Sequence, residues 1–165
     1  MRPRPGDHER GRPGAGRPQL DAIDLRILRV LQANARATYT EIGKAVGLSA
    51  PSAHDRVHRL EDRGVIRGYH AEVDPEVLGL GVLALVGVVP GANASLGAME
   101  AAFAETRQIE AVYTVTGEES HLLVVRAHSL AELSEVLQRI RDIEGVAHTR
   151  TAVVLSTPVL RGPAL

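Results

Sequence analysis

Residues 38–64 read TYTEIGKAVGLSAPSAHDRVHRLEDRG, and this stretch decides the fold of the N-terminal part of the chain. Thr38, with a glutamate three residues later, forms a capping box, and apolar residues then repeat at helical spacing up to Gly47. Ser49 can cap a second helix that contains a proline in its first turn and stops at Gly64, which suits a left-handed C′ position. Two short helices joined by a turn of about three residues predict a helix-turn-helix.

The sequence on either side of this motif extends it to a larger domain. Asp21 can cap an earlier helix whose apolar positions repeat at helical spacing. After Gly64 the apolar residues of 65–73 predict a strand, which the dipeptide at 74–75, Asp-Pro, ends. We therefore predict a winged helix-turn-helix domain over residues 20–73, followed by a hinge at 74–80.

The pattern changes at residue 81, where segments follow in the order strand, helix, strand, strand, helix, strand. The first helix begins near Leu96, and Ser129 with Glu132 forms a capping box that opens the second. The predicted strands are 82–89, 111–116, 121–127 and 146–155. This order predicts a ferredoxin-like βαββαβ domain over residues 81–157, followed by a tail at 158–165, and the whole chain is assigned to the α+β class.

The strands of this second domain carry apolar residues at successive positions, so both faces of the sheet are hydrophobic. Two helices can cover only one of these faces. The simplest cover for the other face is a second copy of the chain, which predicts a homodimer. The alternative is that the linker strand or the N-terminal domain covers this face within one chain.

Composition excludes several classes of protein. The 165 residues include no Cys, which removes disulfides, thiolate metal sites and a cysteine nucleophile. Three Tyr and one Phe leave little material for base-stacking surfaces, so single-stranded nucleic acid is a poor candidate ligand. No apolar run approaches the roughly 18 residues that span a bilayer, so we expect a cytoplasmic protein without a membrane partner.

The net charge of −1 hides an uneven distribution. Residues 1–19 carry +3, residues 20–75 carry 0 and residues 76–165 carry −4. The first segment is rich in Gly and Pro and is predicted to be a disordered basic arm, either a passive tail or an arm that strengthens DNA binding. A DNA-binding domain without net charge predicts weak DNA binding by one copy of the chain. The affinity for DNA would then come from several copies held together in an assembly.

The second helix of the helix-turn-helix carries the residue types that read double-stranded DNA. A projection of this helix at 100° per residue directs Ser52 and Arg59 outward and places Arg56 and Arg63 on its flank. In the alternative reading, Arg56 and Arg59 only pair with nearby acidic residues (Asp55, Glu61 and Asp62) on a solvated face. The candidate DNA-contacting residues are Thr38, Thr40, Ser49, Ser52, Arg56, Arg59 and Arg63.

His54 and His58 lie four residues apart on the same helix, a spacing that can chelate a metal. No third ligand is evident, so we predict no metal site. The chain also lacks a phosphate-binding loop, a dinucleotide fingerprint and a nucleophile–base–acid set. We therefore predict that it is not an enzyme and uses no cofactor.

The ordered motifs LDAIDLRILRVLQANAR, TEIGKAVGLS, RVHRLEDRGVIRGYHAEVDPEVLG, VTGEESHLLVV and GVAHTRTAVVL resemble the leucine-responsive/asparagine regulator (Lrp/AsnC) family of bacterial and archaeal transcription factors. The resemblance runs from about Leu20 to Leu155. It implies a DNA-binding domain tethered to a ferredoxin-like regulatory (RAM) domain. It also implies homodimers that assemble further, commonly to octamers, and small effectors, usually amino acids, bound between dimers.

The resemblance also implies an effector site, which this chain has altered. Where the family pattern reads Gly-Asp-x-Asp, this chain has Gly117, Glu118, Glu119 and Ser120, so the second carboxylate is lost. A carboxylate is the natural partner of an effector's ammonium group, which puts a standard effector such as leucine in doubt. The candidate effector residues are Gly117, Glu118, Glu119, Ser120, His121, Thr149, Thr151, Ala152 and Val153. Alternatively, these residues only hold dimers together.

Two other functions stay open at the level of sequence. One is an architectural DNA-binding protein without effector control. The other is an enzyme, because sirohaem decarboxylase subunits share the two-domain architecture and His70 and Arg67 lie in a segment reminiscent of their functional region.

Overall fold

The computed structural model describes residues 19–160, and the predicted arm lies outside this range except for Gln19. The chain divides into two compact units between Ala71 and Glu72, and each is described by itself. No helix in the described part is long and apolar enough to cross a membrane.

The N-terminal unit contains three helices, α1 (Ala22–Ala33), α2 (Tyr39–Val46) and α3 (Ala50–Asp62). Their apolar faces meet in one core, which follows from the helical spacing of the buried residues. The fully or almost fully buried side chains of this core are Ile27, Ile42, Val46, Ala53, Val57 and Leu60.

The predicted helix boundaries of this unit are confirmed at the level of hydrogen bonds. The Thr38 side chain accepts from the Glu41 N–H, and the Glu41 carboxylate accepts from the Thr38 N–H at 2.7 Å. Gly47 ends α2 with φ of 80°, and Gly64 follows α3 with φ of 66°. Both glycines adopt the left-handed conformation that a side chain disfavours.

The strand predicted for residues 65–73 is wrong, because the structure has no strand between α3 and residue 82. The N–H groups of Val65 and Ile66 instead bond to the Leu60 carbonyl at 2.9 and 3.1 Å and close the end of α3. A strand needs a neighbouring strand to satisfy its backbone groups, and none lies beside this segment within its unit. The alternation of apolar residues therefore did not decide the local structure.

The C-terminal unit has the predicted βαββαβ order. Its elements are β1 (Val82–Pro90), α4 (Leu96–Glu105), β2 (Ile109–Thr114), β3 (His121–Ala127), α5 (Leu130–Arg141) and β4 (Val146–Val153). The four strands form one antiparallel sheet in the order β2-β3-β1-β4. Strand β2 begins two residues earlier than predicted, and β4 ends two residues earlier.

The register of the sheet sorts the strand residues onto two faces. The inner face carries Val86 opposite Leu123, and this face packs with both helices into a core. The outer face carries Leu85 and Leu122, which are 46% and 42% exposed, together with Tyr113. Within this unit the described residues leave much of that apolar surface open to solvent.

The predicted capping box at α5 is half formed. The Ser129 hydroxyl accepts from the Glu132 N–H at 3.1 Å, as expected for a cap. The Glu132 carboxylate does not return to Ser129 but accepts from the N–H of His128 at 2.7 Å and from the Gln108 side chain at 2.9 Å. The hydrogen bond from the His128 N–H, followed by that from Gln108, lowers the pKa of Glu132 below its usual value.

Candidate nucleic-acid interface and effector loop

The first turn of α3 presents two hydroxyl groups to solvent. The Ser49 Oγ accepts from the Ser52 N–H at 3.3 Å and lies 2.9 Å from the Ser52 Oγ. Thr38 and Thr40 are exposed at the start of α2 in the same unit. Each of these side chains can donate to a phosphate oxygen, and the start of a helix favours an anion.

Arg59 is exposed on the outer surface of α3, where the helical projection placed it. Its Nε donates to the Asp55 carbonyl at 3.3 Å, and within residues 19–160 its guanidinium makes no ion pair. Arg63 is also exposed, and its Nη2 donates to the Gln19 carbonyl at 3.0 Å. Both guanidinium groups therefore combine exposure with donors that backbone contacts only partly occupy.

Arg56 lies against α1 instead of pointing to solvent. Its Nη1 donates to Asp21 Oδ2 at 2.6 Å and to Asp24 Oδ1 at 2.7 Å. Neither aspartate is among the partners that sequence reasoning considered, because α1 lies more than 30 residues away along the chain. Arg56 therefore joins α3 to the start of α1.

The ion pairs of Arg56 shift the protonation equilibria of the groups involved. Hydrogen bonds to Asp21 and then Asp24 raise the pKa of the Arg56 guanidinium above its ordinary value. The pKa of Asp21 is lowered, first by the hydrogen bond from the Asp24 N–H and then by Arg56. Both shifts favour the charged forms of the two groups.

His54 and His58 form aromatic ring contacts. The His54 ring meets the edge of Tyr39 at 4.8 Å between centroids and lies 5.6 Å from the His58 ring. The Nδ1 of His58 lies 3.5 Å from Glu61 Oε2. Within residues 19–160 no group of three His, Asp or Glu side chains could hold a metal ion.

In the C-terminal unit, two glutamates of the loop before β3 contact Arg150, a residue that the sequence analysis missed. Its Nη2 donates to Glu118 Oε1 at 2.7 Å and its Nη1 to Glu119 Oε1 at 3.0 Å. These contacts, with Glu118 the stronger, raise the pKa of Arg150. The available signal was an arginine between the two threonines at 149 and 151 of the last strand.

Gly87 on β1 makes room for this arrangement. A Cβ atom at this position would lie 2.9 Å from the Glu119 Cγ, closer than real contacts allow. The Glu119 side chain therefore crosses the outer face of the sheet directly over Gly87. A shallow pocket of about 250 Å³ results, lined by Leu85, Gly87, Glu119, Leu122, Arg150, Thr151 and Ala152.

The predicted effector residues divide between the two faces of the sheet. Ala152 lies opposite Leu85 and belongs to the outer face, whereas Thr149, Thr151 and Val153 alternate with it. His121 is completely buried on the inner face. Gly117 adopts φ of 129° in the loop and lets the chain turn between β2 and β3.

Comparison with known proteins identifies the class of protein that contains these two domains. Residues 20–61 match the model of the AsnC-type helix-turn-helix domain, and residues 81–164 match that of the Lrp/AsnC ligand binding domain. A chain with these two domains is a helix-turn-helix transcriptional regulator with a ligand-binding domain.

Proteins with similar sequences identify the family to which this chain belongs. The HTH-type transcriptional regulator LrpA of Mycobacterium tuberculosis is 39% identical over 138 residues, covering 84% of this chain and 91% of LrpA. The leucine-responsive regulatory protein of Rhizobium meliloti is 37% identical, with 84% and 91% coverage. The chain belongs to the Lrp/AsnC family, and its relatives are transcriptional regulators, not enzymes. The enzyme alternative is therefore wrong.

A solved structure extends the comparison to a bound ligand. The feast or famine regulatory protein from M. tuberculosis complexed with L-methionine has a TM-score of 0.83 and 37% identity, over 88% of this chain and 99% of that chain.

Proposed function

We propose that this chain is a sequence-specific regulator that binds double-stranded DNA as a homo-oligomer and whose binding is modulated by an amino acid or a related metabolite held between dimers. Residues 20–73 would form the DNA-binding domain, 74–80 the hinge and 81–157 the regulatory domain. Such a regulator would act in the cytoplasm, where it reaches DNA. An octamer is the assembly that the family resemblance favours.

The DNA-binding part of the proposal rests on the exposed surface of α3. Recognition helices contact base edges through their N-terminal turns, which here carry Ser49 and Ser52. Arg59 follows two turns later with its guanidinium exposed and can donate two parallel hydrogen bonds to a guanine. Thr38, Thr40 and Arg63 would then contact phosphates. Arg56 would contribute by holding α3 on α1, and it would read a base only if it left both aspartates.

The cluster of Arg150, Glu118 and Glu119 is the observation that carries the effector proposal. An amino acid offers one carboxylate and one ammonium, and this cluster offers one guanidinium and two carboxylates beside an apolar pocket. The guanidinium can bind the carboxylate of the effector bidentately, and Glu118 or Glu119 can take its ammonium in place of the lost second Asp of the family pattern. The bound L-methionine in the solved structure supports this ligand class.

A ligand screen tests the effector proposal directly. We expect one or more amino acids to raise the melting temperature of the full chain, because a ligand that binds only the folded state stabilises it. Arg150→Ala and the double variant Glu118→Gln, Glu119→Gln should each remove this shift, whereas Arg139→Ala on α5 should keep it. If Arg150→Ala responds to the same amino acid as strongly as the unmodified chain, the cluster is not the site.

A further inference from the structure

The ring of His54 lies where the start of α2 meets α3. Tyr39, the first residue of α2, contacts this ring edge-on, with 4.8 Å between the ring centroids. The His54 side chain is 46% exposed, and Thr38 and Thr40 on either side of Tyr39 are exposed as well. The contact therefore joins the two helices that carry the proposed DNA-contacting residues, and the proposed function leaves His54 itself without a role.

His54 lies in the part of α3 with which recognition helices contact bases. In a helix-turn-helix the second helix lies in the major groove with its N-terminal residues at the base edges, while the first helix crosses the phosphate backbone. His54 is the fifth of the 13 residues of α3 and follows Ser52 by two positions. Through Tyr39 it also lies against the helix that would cross the backbone. We therefore expect its ring at the edge of the groove, within reach of a base.

The neighbour of His54 on α3 decides which ring nitrogen carries the proton. The Nδ1 of His54 lies 3.2 Å from Asp55 Oδ1. A carboxylate only accepts hydrogen bonds, so Nδ1 donates and, in the neutral ring, Nε2 is left as an acceptor. Within residues 19–160 this Nε2 has no hydrogen-bond partner. The neutral ring therefore offers one unused lone pair to a ligand.

An acceptor at this place distinguishes base pairs in a way that the arginines of α3 do not. In the major groove, adenine N6 and cytosine N4 present amino donors, whereas guanine O6 and thymine O4 present acceptors. A guanidinium only donates, so Arg59 favours guanine. The neutral ring of His54 can bind an amino group, but it would oppose a keto oxygen with its own lone pair.

We propose that His54 is a specificity-determining residue, which accepts a hydrogen bond from the amino group of an adenine or a cytosine in the major groove. Asp55 holds the ring in the accepting form, and the contact with Tyr39 fixes the orientation of the ring. This role rests on the proposed DNA-binding function, because it names one base contact within that function. The sequence alone did not indicate it, because the spacing only paired His54 with His58.

Selection of DNA duplexes from a random pool by the full chain tests this role. The selection is made at about pH 8, where an ordinary histidine is mostly neutral. At one position of the selected site, the unmodified chain should prefer adenine or cytosine by at least fivefold in affinity, the discrimination expected of a base contact. His54→Ala should reduce this ratio to about one. His58→Ala, one turn further along α3, is the control and should keep every preference.

Two further variants separate base reading from a purely structural role of His54. In Asp55→Asn the amide can donate to Nδ1 as well as accept from it, so the ring is no longer held in the accepting form. The preference at the same position should fall at least threefold, with guanine or thymine gaining. Tyr39→Leu removes the ring contact and should weaken the preference without changing its direction.

The outcomes distinguish this role from the DNA-binding proposal on which it rests. Unchanged base preferences in His54→Ala would overturn the role of His54 and leave DNA binding in place. A uniform loss of affinity for all duplexes in His54→Ala would also overturn it, because such a loss marks a backbone or packing contact. If the unmodified chain enriches no duplex at all, the DNA-binding proposal fails, and the role of His54 fails with it.

Discussion

Arg56 shows how one side chain can hold two helices of the N-terminal unit together. It connects α3 to Asp21 and Asp24 at the start of α1, and Asp24 is almost completely buried. Removing one partner of such a contact leaves a carboxylate without its counter-charge. The sequence showed a helical arginine among acidic neighbours, but it could not show that the partners lie on another helix.

We expect Arg56→Ala to destabilise the N-terminal unit by roughly 1–2 kcal/mol, because Asp24 loses its ion pair in a largely buried position. Urea unfolding of the full chain, followed by circular dichroism, measures this change. Arg59→Ala is the matched control on the same helix and should change the free energy of unfolding by less than about 0.5 kcal/mol. Equal effects of the two substitutions would show that the contact with α1 contributes nothing.

Tyr69 provides a pH-dependent test in the segment where the predicted strand is absent. Its hydroxyl donates to Glu61 Oε1 at 2.8 Å, and burial, with this bond second, raises the pKa of Tyr69 to about 12. A raised pKa favours the protonated form in the folded state, so the stabilising contribution is complete below about pH 10 and is lost as the pH rises toward about 12.

Ultraviolet titration of the tyrosines should therefore show one late ionisation, near pH 12, that Tyr69→Phe removes. Tyr113→Phe, on the outer sheet face, should leave that late step in place. A complete titration of all three tyrosines near pH 10 would contradict the Glu61 contact.

At the level of elements, the turn between α2 and α3 depends on a glycine that the sequence analysis did not single out. A Cβ atom on Gly43 would lie 2.6 Å from the Leu48 carbonyl oxygen, so the backbone of the turn would have to move. Helical periodicity treats Gly43 as a weak helix residue and does not reveal that α2 and the turn touch there. The caps at Thr38 and Ser49, by contrast, are local and were predicted correctly.

We expect Gly43→Ala to lower the free energy of unfolding of the N-terminal unit by about 2 kcal/mol because of this overlap. Gly97→Ala is the matched substitution in α4, where a Cβ would meet nothing within 4 Å. It should stabilise the chain by about 0.5 kcal/mol through helix propensity. Thermal and urea unfolding distinguish the two, and a stabilising Gly43→Ala would show that the turn is looser than described.

The candidate effector residues lie on different faces of the sheet, which sequence reasoning could not predict. In the structure the loop 117–120 and the last strand lie together, since Arg150 contacts both Glu118 and Glu119. The sequence motif did not show that Arg150 would supply the positive charge that binds both glutamates. Only the strand register reveals that His121 turns into the core, away from the outer-face pocket.

At the scale of the whole molecule, the described residues leave the apolar outer face of the sheet exposed to solvent. The two-sided apolar pattern of the strands predicted it, and Leu85, Tyr113 and Leu122 lie exposed there. Burying such a face against a second copy removes apolar area from water, the driving force of most association. Assembly would also compensate for a DNA-binding unit whose net charge gives little attraction to phosphate.

We expect Leu122→Glu to reduce the molar mass of the protein in solution, because a charge would enter the proposed dimer interface. Light scattering coupled to size-exclusion chromatography measures the mass. Leu130→Glu, on an exposed position of α5, is the control and should leave the assembly unchanged. An unchanged mass for Leu122→Glu would show that the outer face does not form the interface.

The central claim is that α3 reads DNA. The test is the affinity of the full chain for a DNA duplex that the protein selects from a random pool. Fluorescence anisotropy compares the unmodified protein with the double variant Ser52→Ala, Arg59→Ala at several salt concentrations. We expect at least a tenfold loss of affinity, since a single arginine–guanine contact contributes about 1–3 kcal/mol, with the molar mass unchanged. Unaltered affinity and salt dependence in the double variant would contradict the account.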